Sequence, residues 1–449
     1  MFVDEHKPRV TALTLGCKVN QYDTEAVLEA FAARGFVVVP PEEPAEVYLI
    51  NTCTVTNVAD KKSRQLIRRI VREHPQAVVA VFGCYAQTQA AKVAEIPGVS
   101  IVVGTQRRGE LVDLVIQALR EKEPSAVRNL VSPLKDRTFE ELVVSSFVEK
   151  VRAVLKIQEG CQQFCAYCKV PYARGPERSR EVQAVLSTAE KLVAEGYKEI
   201  VLTGIHLSSY GKDLQPPSSL AEITRKIVEL PGLARLRLSS VEPTDVTPEL
   251  LELVTQHPKV CAHLHMPLQS GSAGVLARMR RKYTPSDYLA IVNQARNLNP
   301  DLGLTTDIIV GFPGETEAEF NETVAFVREV GFSRLHVFPY SPRSGTPAAK
   351  MPDQVSTKVK NLRSRKLIAV GHELSESFHR RFVGRTVTVL IEELSAGIGQ
   401  GYTENYIRVK VPYNQVPAEL SIGALVPVII ESATAAGCGG VLSDKEVTP

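Results

Sequence analysis

Three cysteines stand at the ends of short apolar runs in the N-terminal part of the chain, and this placement constrains the fold more than any other feature. Cys17, Cys53 and Cys84, the dispersed triplet, close the runs TALTLGC, VYLINTC and VVAVFGC. Uninterrupted apolar runs of this kind are typical of buried parallel strands. Because ligands in open α/β sheets collect at the carboxyl ends of the strands, we expect the three thiols to converge in one crevice.

A second set, the compact triplet, consists of Cys161, Cys165 and Cys168 in a C-x3-C-x2-C run after another strand-like segment. Three thiolates at one site suit a [4Fe–4S] cluster with one open iron, whereas closed electron-transfer clusters use four cysteines. A structural zinc site is the alternative, although such sites usually have four cysteine or histidine ligands. The other two cysteines, Cys261 and Cys438, are expected to be ordinary buried thiols.

The alternation of strand-like and helix-like segments predicts an α/β multidomain protein, as its 449 residues allow. Residues 1–120 are predicted to form a doubly wound parallel sheet with helices on both faces, and residues 121–146 a charged linker. Six apolar runs within residues 147–378 predict a partial (β/α)6 barrel, with its chemistry at the strand C-termini. Three short β-type runs in residues 379–449 predict a small β-barrel.

The sequence around both triplets is similar to that of a known family. The compact triplet, with Tyr167 before its last cysteine, resembles the cluster motif of the radical S-adenosylmethionine (SAM) superfamily. The segments TLGCKVNQY, NTCTVTNVADKKSRQ, GCYAQ and CKVPYARGPERSR resemble the methylthiotransferases within that superfamily. The resemblance covers nearly the whole chain, including a C-terminal region similar to the TRAM domain. The segments at Cys17 and Cys53 are most similar to the branch that acts on N6-threonylcarbamoyladenosine in tRNA.

This resemblance implies two [4Fe–4S] clusters with separate roles. The compact triplet would hold the cluster that cleaves SAM to a 5′-deoxyadenosyl radical, which removes hydrogen from C2 of the adenine. The dispersed triplet would hold an auxiliary cluster carrying a sulfur that another SAM molecule methylates. The implied enzyme converts threonylcarbamoyladenosine at position 37, next to the anticodon, into its 2-methylthio derivative, and the cofactors supply the difficult chemistry.

Other activities and partners remain open from the sequence. The same chemistry could act on N6-isopentenyladenosine in tRNA or on a ribosomal protein, and a noncatalytic iron–sulfur or zinc protein that binds RNA is the alternative of another class. An electron donor and a sulfur donor of unknown identity are implied. The N-terminus lacks the apolar core of a signal peptide, and no apolar run of about 18 residues occurs, so we expect a cytoplasmic protein without a membrane partner.

Residues at the ends of the barrel strands are predicted to contact SAM. By resemblance, Tyr167 belongs to the cluster motif, and Gly204 would meet the SAM amino group after the second strand. Ser240 and Glu242 follow the third strand, where they would meet the ribose hydroxyls or the methionine end, and Gln269 follows the fourth. A role in strand-end turns is the alternative for these residues. Nearby histidines are expected to be structural: His206, His263 and His265.

Arginines that follow the compact triplet are predicted to hold the tRNA backbone. The net charge is only +3, so phosphate binding requires local patches. Arg174, Arg178 and Arg180 should lie at the mouth of the active site. Two other basic groups are expected to be solvated surface charges: Lys61, Arg64, Arg68 and Arg72, and Arg278, Arg280, Arg281 and Lys282. Stacking on anticodon-loop bases is predicted for residues of the C-terminal barrel: Tyr402, Tyr406 and Arg408.

Overall fold

The N-terminal domain is a parallel sheet covered on both faces. The computed structural model describes residues 7–121, 127–135, 137–142, 144, 151–413 and 420–443. The domain contains β1 (Arg9–Thr14), α1 (Lys18–Ala33), β2 (Val37–Val38), β3 (Val47–Thr52), α2 (Asn57–Glu73), β4 (Val78–Gly83), α3 (Cys84–Thr88), α4 (Ala90–Ala94), β5 (Val99–Val102), α5 (Leu111–Arg120) and β6 (Arg128–Asn129). The strand order is β2-β1-β3-β4-β5-β6, all parallel. Separate apolar cores lie on the two faces, so the predicted doubly wound arrangement is confirmed.

The first helix begins earlier than the sequence pattern predicts. That pattern indicates a helix over residues 22–34 with Asn20 as its N-cap. The helix instead starts at Lys18, with Cys17 at the N-cap and Asn20 buried inside the first turn. Asn20 is retained within the helix because its side chain has other partners: it donates hydrogen bonds to the carbonyl oxygens of Leu15 and Thr52.

The described residues of the segment predicted to be a linker include several that pack against the neighbouring domains. Residues 128–129 pair with β5 and form the outer strand of the N-terminal sheet. Further along, Leu142 and Val144 are buried in the core of the central domain. One of the charges that suggested a linker is also partnered, because Glu140 pairs with Arg108 at 2.9 Å. This segment therefore helps to hold the first two domains together.

The central domain contains six parallel strands with helices outside them. Its elements are β7 (Arg152–Lys156), β8 (Gln158–Glu159), α6 (Val170–Arg174), β9 (Arg178–Ser179), α7 (Val182–Ala194), β10 (Glu199–Thr203), α8 (Leu220–Val228), β11 (Arg235–Leu238), α9 (Pro248–Gln256), β12 (His263–His265), α10 (Ala273–Arg278), α11 (Pro285–Leu298), β13 (Gly303–Val310), α12 (Glu317–Val330), β14 (Arg334–Pro339) and α13 (Thr357–Arg380). Two three-stranded sheets, β7-β10-β11 and β12-β13-β14, are joined by parallel bridges such as Ser240 to His265. The predicted partial barrel is confirmed, with one continuous apolar core between strands and helices.

The C-terminal domain is a closed five-stranded barrel. Its strands are β15 (Thr386–Ser395), β16 (Ile398–Tyr402), β17 (Arg408–Pro412), β18 (Leu425–Thr434) and β19 (Gly437–Leu442), in the order β15-β16-β17-β19-β18. The sequence predicts a small barrel but indicates only three of these strands, because β16 and β19 are rich in glycine. Closure requires glycine: a Cβ on Gly401 would lie 1.9 Å from the Leu390 carbonyl oxygen.

In the part of the chain that the structure describes, no helix has both the length and the apolar character needed to cross a membrane.

Candidate functional site at two cysteine triplets

The dispersed triplet lies at the carboxyl edge of three neighbouring strands. Cys17 follows β1 at the N-cap of α1, Cys53 follows β3, and Cys84 follows β4 as the first residue of α3. The turns before two of them require glycine, because Gly16 has a φ of +119° and Gly83 a φ of +94°. Two of the thiols therefore stand at helix N-termini, where partial positive charge favours an anionic ligand set.

Polar groups connect these thiols to one another. The Oδ1 atom of Asn20 lies 3.9 Å from the Sγ atoms of both Cys17 and Cys84. The Nε atom of Arg174 donates to Cys84 Sγ over 3.1 Å. Burial raises the pKa of Cys84 to about 12, while the Arg174 charge opposes this increase. Burial also raises the pKa of Cys53. A buried site of this kind favours thiolate only beside compensating cations.

The compact triplet lies in the loop between β8 and α6. The Val170 amide donates to Cys168 Sγ over 3.4 Å, and Arg281 Nη1 donates to Cys165 Sγ over 3.2 Å. Burial, together with the neighbouring Cys165, raises the pKa of Cys168 to about 12. Like the first triplet, this one combines desolvated sulfur atoms with donors directed at them.

His206 supplies another positive charge at the compact triplet. Its ring nitrogens lie 2.8 Å from Glu177 Oε1 and 2.9 Å from Asp245 Oδ2. Burial lowers the pKa of His206, but hydrogen bonds to Asp245, Cys161 and Glu177 outweigh burial and raise it to about 11. Since both nitrogens hydrogen-bond carboxylates, the predicted structural role agrees with these contacts.

The sulfur atoms of each triplet are not grouped closely enough for one metal ion to bind all three. Four-coordinate zinc with Zn–S bonds of 2.3 Å holds its sulfur ligands about 3.8 Å apart. Among the described residues, neither triplet brings its three sulfur atoms within 4.8 Å of one another; a group that does meet this limit is Cys161, Glu177 and His206. Three thiolates at one site are the donor set of a [4Fe–4S] cluster with one open iron, and each triplet supplies three.

A buried ion cluster joins the two cysteine-bearing domains. Arg174 Nη1 lies 2.9 Å from Asp23 Oδ2 and 2.6 Å from Glu159 Oε1. Lys156 and Arg108 contact the same two carboxylates. Burial alone would raise the pKa of Asp23 and of Glu159, but the surrounding cations hold both below their usual range. The domains are therefore fixed together directly beside Cys84.

A cavity of about 610 Å³ lies where all three domains meet. Cys17 and Lys18 contribute from the N-terminal domain, Gly204 and Ser240 from the central strand ends, and Tyr406 from the C-terminal barrel. The other lining residues are Gly16, Val19, Gln21, Thr203, Arg237, Leu238, Ser239, His263, His265, Thr305, Asp307, Arg334 and His336. This cavity has room for a nucleobase and is lined by Cys17 of the dispersed triplet.

A second cavity, of about 240 Å³, lies beside the compact triplet. Tyr167, Cys168 and Gln269 line it together with Asp307, which also lines the larger cavity. Glu242 lies behind the compact triplet, where it pairs with the same Arg281 that contacts Cys165. Four of the five residues predicted to contact SAM therefore line these two cavities, whereas Glu242 lines neither, and the contacts with SAM stay a prediction.

The arginines predicted to hold tRNA phosphates are buried, which corrects that prediction. Arg174 is 0% exposed, Arg178 2% and Arg180 3%. Arg178 donates to the Arg174 carbonyl oxygen over 3.1 Å, and Arg180 pairs with Glu141 at 2.8 Å. The three arginines do lie near the site, as expected from their position just after the compact triplet in the sequence. Arg174 instead supports a cysteine site, because it contacts Cys84 and the distant Asp23.

Exposed cations occur in the two basic groups for which the sequence predicts solvated surface charges. Lys61, Arg68 and Arg72 project from α2, and Arg280 and Lys282 are exposed after α10. The N-cap residue of α2 is Thr56, which lines the smaller cavity. Its exposed basic face therefore runs outward from the mouth of the site.

Two candidate functional residues, Arg281 and Lys18, are not predicted from the sequence. Arg281 was grouped with surface charges, yet it hydrogen-bonds Cys165, and nothing in its local sequence indicates that contact. Lys18 lines the larger cavity, and its position directly after Cys17 was the available signal. Tyr402 and Tyr406 do stack on each other, with ring centroids 5.0 Å apart, but Tyr406 faces the cavity rather than an open surface.

Family models match three successive parts of the chain. Residues 9–104 match the uncharacterized protein family UPF0004, residues 155–327 the radical SAM superfamily, and residues 380–436 the TRAM domain. The fold is similar to that of the radical SAM methyltransferase TsrM from Kitasatospora setae, with a TM-score of 0.58 and 16% identity, over 76% of this chain and 74% of that one. The fold and the compact triplet therefore define a radical SAM enzyme.

Curated relatives narrow this class. The chain is 46% identical to the threonylcarbamoyladenosine tRNA methylthiotransferase MtaB of Bacillus subtilis, over 88% of each chain. It is 38% identical to the MtaB of Thermotoga maritima, over 90% and 91%. It is also 35% identical to a tRNA-2-methylthio-N(6)-dimethylallyladenosine synthase of Pelotomaculum thermopropionicum, over 96% and 97%. The chain belongs to the radical-SAM methylthiotransferase family and is MtaB-like.

Proposed function

We propose that this protein adds a 2-methylthio group to N6-threonylcarbamoyladenosine at position 37 of tRNA. The observation that carries the proposal is the pair of adjoining cavities, which lead from Cys168 of one triplet to Cys17 of the other through Asp307. A base held there would have a sulfur source on one side and a radical source on the other. The MtaB relatives support this choice of nucleoside.

The proposal assigns one [4Fe–4S] cluster to each triplet and two SAM molecules to each turnover. Such clusters supply the electron that cleaves SAM and the sulfur that is transferred. The chain's own residues bind and shield. Gly204 offers backbone contacts to SAM, Ser240 and Gln269 offer polar side chains, and Tyr167 packs beside Cys168. Glu242 fixes Arg281, which in turn orients Cys165.

Binding of tRNA is proposed to use the exposed face of α2. Lys61 and Arg68 are seven residues apart and therefore lie on the same helical face. Among the described residues, neither has a carboxylate within ion-pair distance. Phosphate contacts of this kind position the RNA, while the cavity selects the modified base. An electron donor and a sulfur donor, both unidentified, complete the system.

Analysis of tRNA nucleosides tests the substrate. Mass spectrometry of tRNA from a strain lacking the gene should show threonylcarbamoyladenosine without its 2-methylthio derivative, and restoring the gene should bring the derivative back. Loss of 2-methylthio-isopentenyladenosine instead would move the chain to the branch represented by its dimethylallyladenosine-synthase relatives. Intact tRNA together with an altered ribosomal protein would indicate a protein substrate.

Iron analysis tests the cofactor assignment independently of substrate. Anaerobically reconstituted protein should hold about eight iron atoms and as many sulfides. Replacing all three cysteines of the compact triplet with alanine should leave about half of each. A matched change of Cys261 and Cys438, which lie outside both triplets, should leave the iron content unchanged. Tightly bound zinc without sulfide would favour the noncatalytic alternative and contradict the proposal.

A further inference from the structure

The larger cavity has an unequal distribution of charge. Three cations and one carboxylate line it. Arg237 is neutralised by Glu199 at 2.6 Å, and Asp307 lies 3.4 Å from His265. The other two cations, Lys18 and Arg334, have no carboxylate within ion-pair distance among the residues that the structure describes. They come from different domains, since Lys18 begins α1 and Arg334 begins β14.

Neighbouring groups indicate a positive potential at this position. Burial alone would raise the pKa of the Tyr406 phenol, yet the pKa is lowered because Arg152, Lys18 and Arg237 lie nearby. Burial, followed by Arg237, holds the pKa of His263 well below its usual range. An anion entering the cavity would relieve this repulsion.

We propose that Lys18 and Arg334 bind the carboxylate of the substituent on the substrate adenine. The inference rests on the proposed function, which brings a modified adenosine into this cavity. A threonylcarbamoyl group ends in a carboxylate, whereas an isopentenyl group carries no charge. Charge-assisted hydrogen bonds from a lysine and an arginine therefore select the former, and the neutral group would leave both cations desolvated and unpaired.

The test compares two synthetic anticodon stem-loops that differ only at the substituent. One carries threonylcarbamoyladenosine and the other its carboxamide, which has nearly the same shape but no charge. Anaerobically reconstituted wild-type enzyme should bind the carboxylate RNA about tenfold more tightly, the typical effect of one charged hydrogen bond. Lys18→Gln and Arg334→Gln should each lower this ratio towards one without changing the affinity for the carboxamide RNA. Lys410→Gln, an exposed cation outside the cavity, serves as the control and should keep the ratio.

The same binding measurements distinguish the substituent carboxylate from two other anions, an RNA phosphate and the carboxylate of SAM. Equal weakening of both RNAs would indicate a phosphate contact, and weaker SAM binding without RNA would indicate the SAM carboxylate; either result overturns the inference. Iron content is measured for each variant as a control. If Lys18→Gln loses iron, the Arg334→Gln variant decides the test, because Arg334 is distant in sequence from all six cluster cysteines. Variants that keep the full preference, while the wild type thiomethylates the carboxylate RNA, would refute this inference alone. A wild-type enzyme inactive on that RNA would refute the proposed function.

Discussion

Arg174 donates a hydrogen bond to Cys84 Sγ, and this contact links the two cysteine triplets through a single short helix. Arg174 is the last residue of α6, which begins two residues after Cys168. Arg281 makes the equivalent contact at the other triplet, where it donates to Cys165. Each site therefore has one guanidinium group directed at a sulfur atom, and the two groups can be altered separately.

The first prediction concerns reduction potentials. Arg174→Lys should lower the potential of the cluster at the dispersed triplet by on the order of tens of millivolts, because hydrogen bonds to sulfur stabilise the more negative, reduced form. Arg281→Lys should lower the potential of the other cluster. Redox titration followed by electron paramagnetic resonance distinguishes them. A shift of both clusters in both variants would contradict separate control by the two arginines.

The second prediction separates the two sites by their products. Cys165→Ala should abolish formation of 5′-deoxyadenosine, since the ligand set beside the proposed SAM site is incomplete. Cys53→Ala should retain SAM cleavage but lose the methylthio product, because Cys53 belongs only to the dispersed triplet. Chromatography of both products measures the two outcomes. Methylthio product at the wild-type rate from Cys53→Ala would exclude the proposed role of that triplet.

The third prediction concerns the salt dependence of tRNA binding. The combined change Lys61→Ala and Arg68→Ala should weaken binding and reduce the slope of log K against log salt by roughly 0.9 for each phosphate that the variant no longer neutralises. Lys191→Ala, an exposed lysine on α7, should leave the slope unchanged. Filter binding over a series of salt concentrations provides the slopes. An unchanged slope in the double variant would exclude α2 from the RNA surface.

The fourth prediction concerns pH and the attachment of the C-terminal barrel. His379 Nδ1 lies 2.7 Å from the Thr434 carbonyl oxygen, so this nitrogen carries the proton. Burial lowers the pKa of His379, and Arg334 lowers it further. Between this lowered value and the unfolded value of about 6.5, the unfolded state binds more protons. The free energy of unfolding should therefore decrease as the pH falls through this window, and level off below it.

His379→Asn is the matched variant, because it keeps a donor near Thr434 but does not titrate. Thermal unfolding between about pH 5 and 8 should show a smaller pH dependence in the variant than in the wild type. Parallel curves for the two proteins would show that His379 does not contribute.

The larger features of the fold follow from local sequence patterns. Apolar runs ending at Cys17, Cys53 and Cys84 predict strands, and parallel pairing necessarily brings their ends to one edge. The same reasoning identified the six strands of the partial barrel. The sequence pattern does not predict β16 and β19, because glycine replaces the apolar alternation that normally indicates a strand. Those strands exist because closing the barrel requires close backbone contact.

The amino-acid sequence by itself determined that three cysteines lie at strand ends and three in a compact loop, since the cysteine spacing and the strand ends are local properties. Only the tertiary structure decided what the charged residues do. Arg174 looks like a surface arginine in sequence, but it pairs with Asp23, 151 residues away, and with Glu159 on β8. Arg281 reaches Cys165 across 116 residues. A buried charge has to be compensated, and for Arg174 and Arg281 the compensating groups are far away in sequence, so the local sequence does not reveal them.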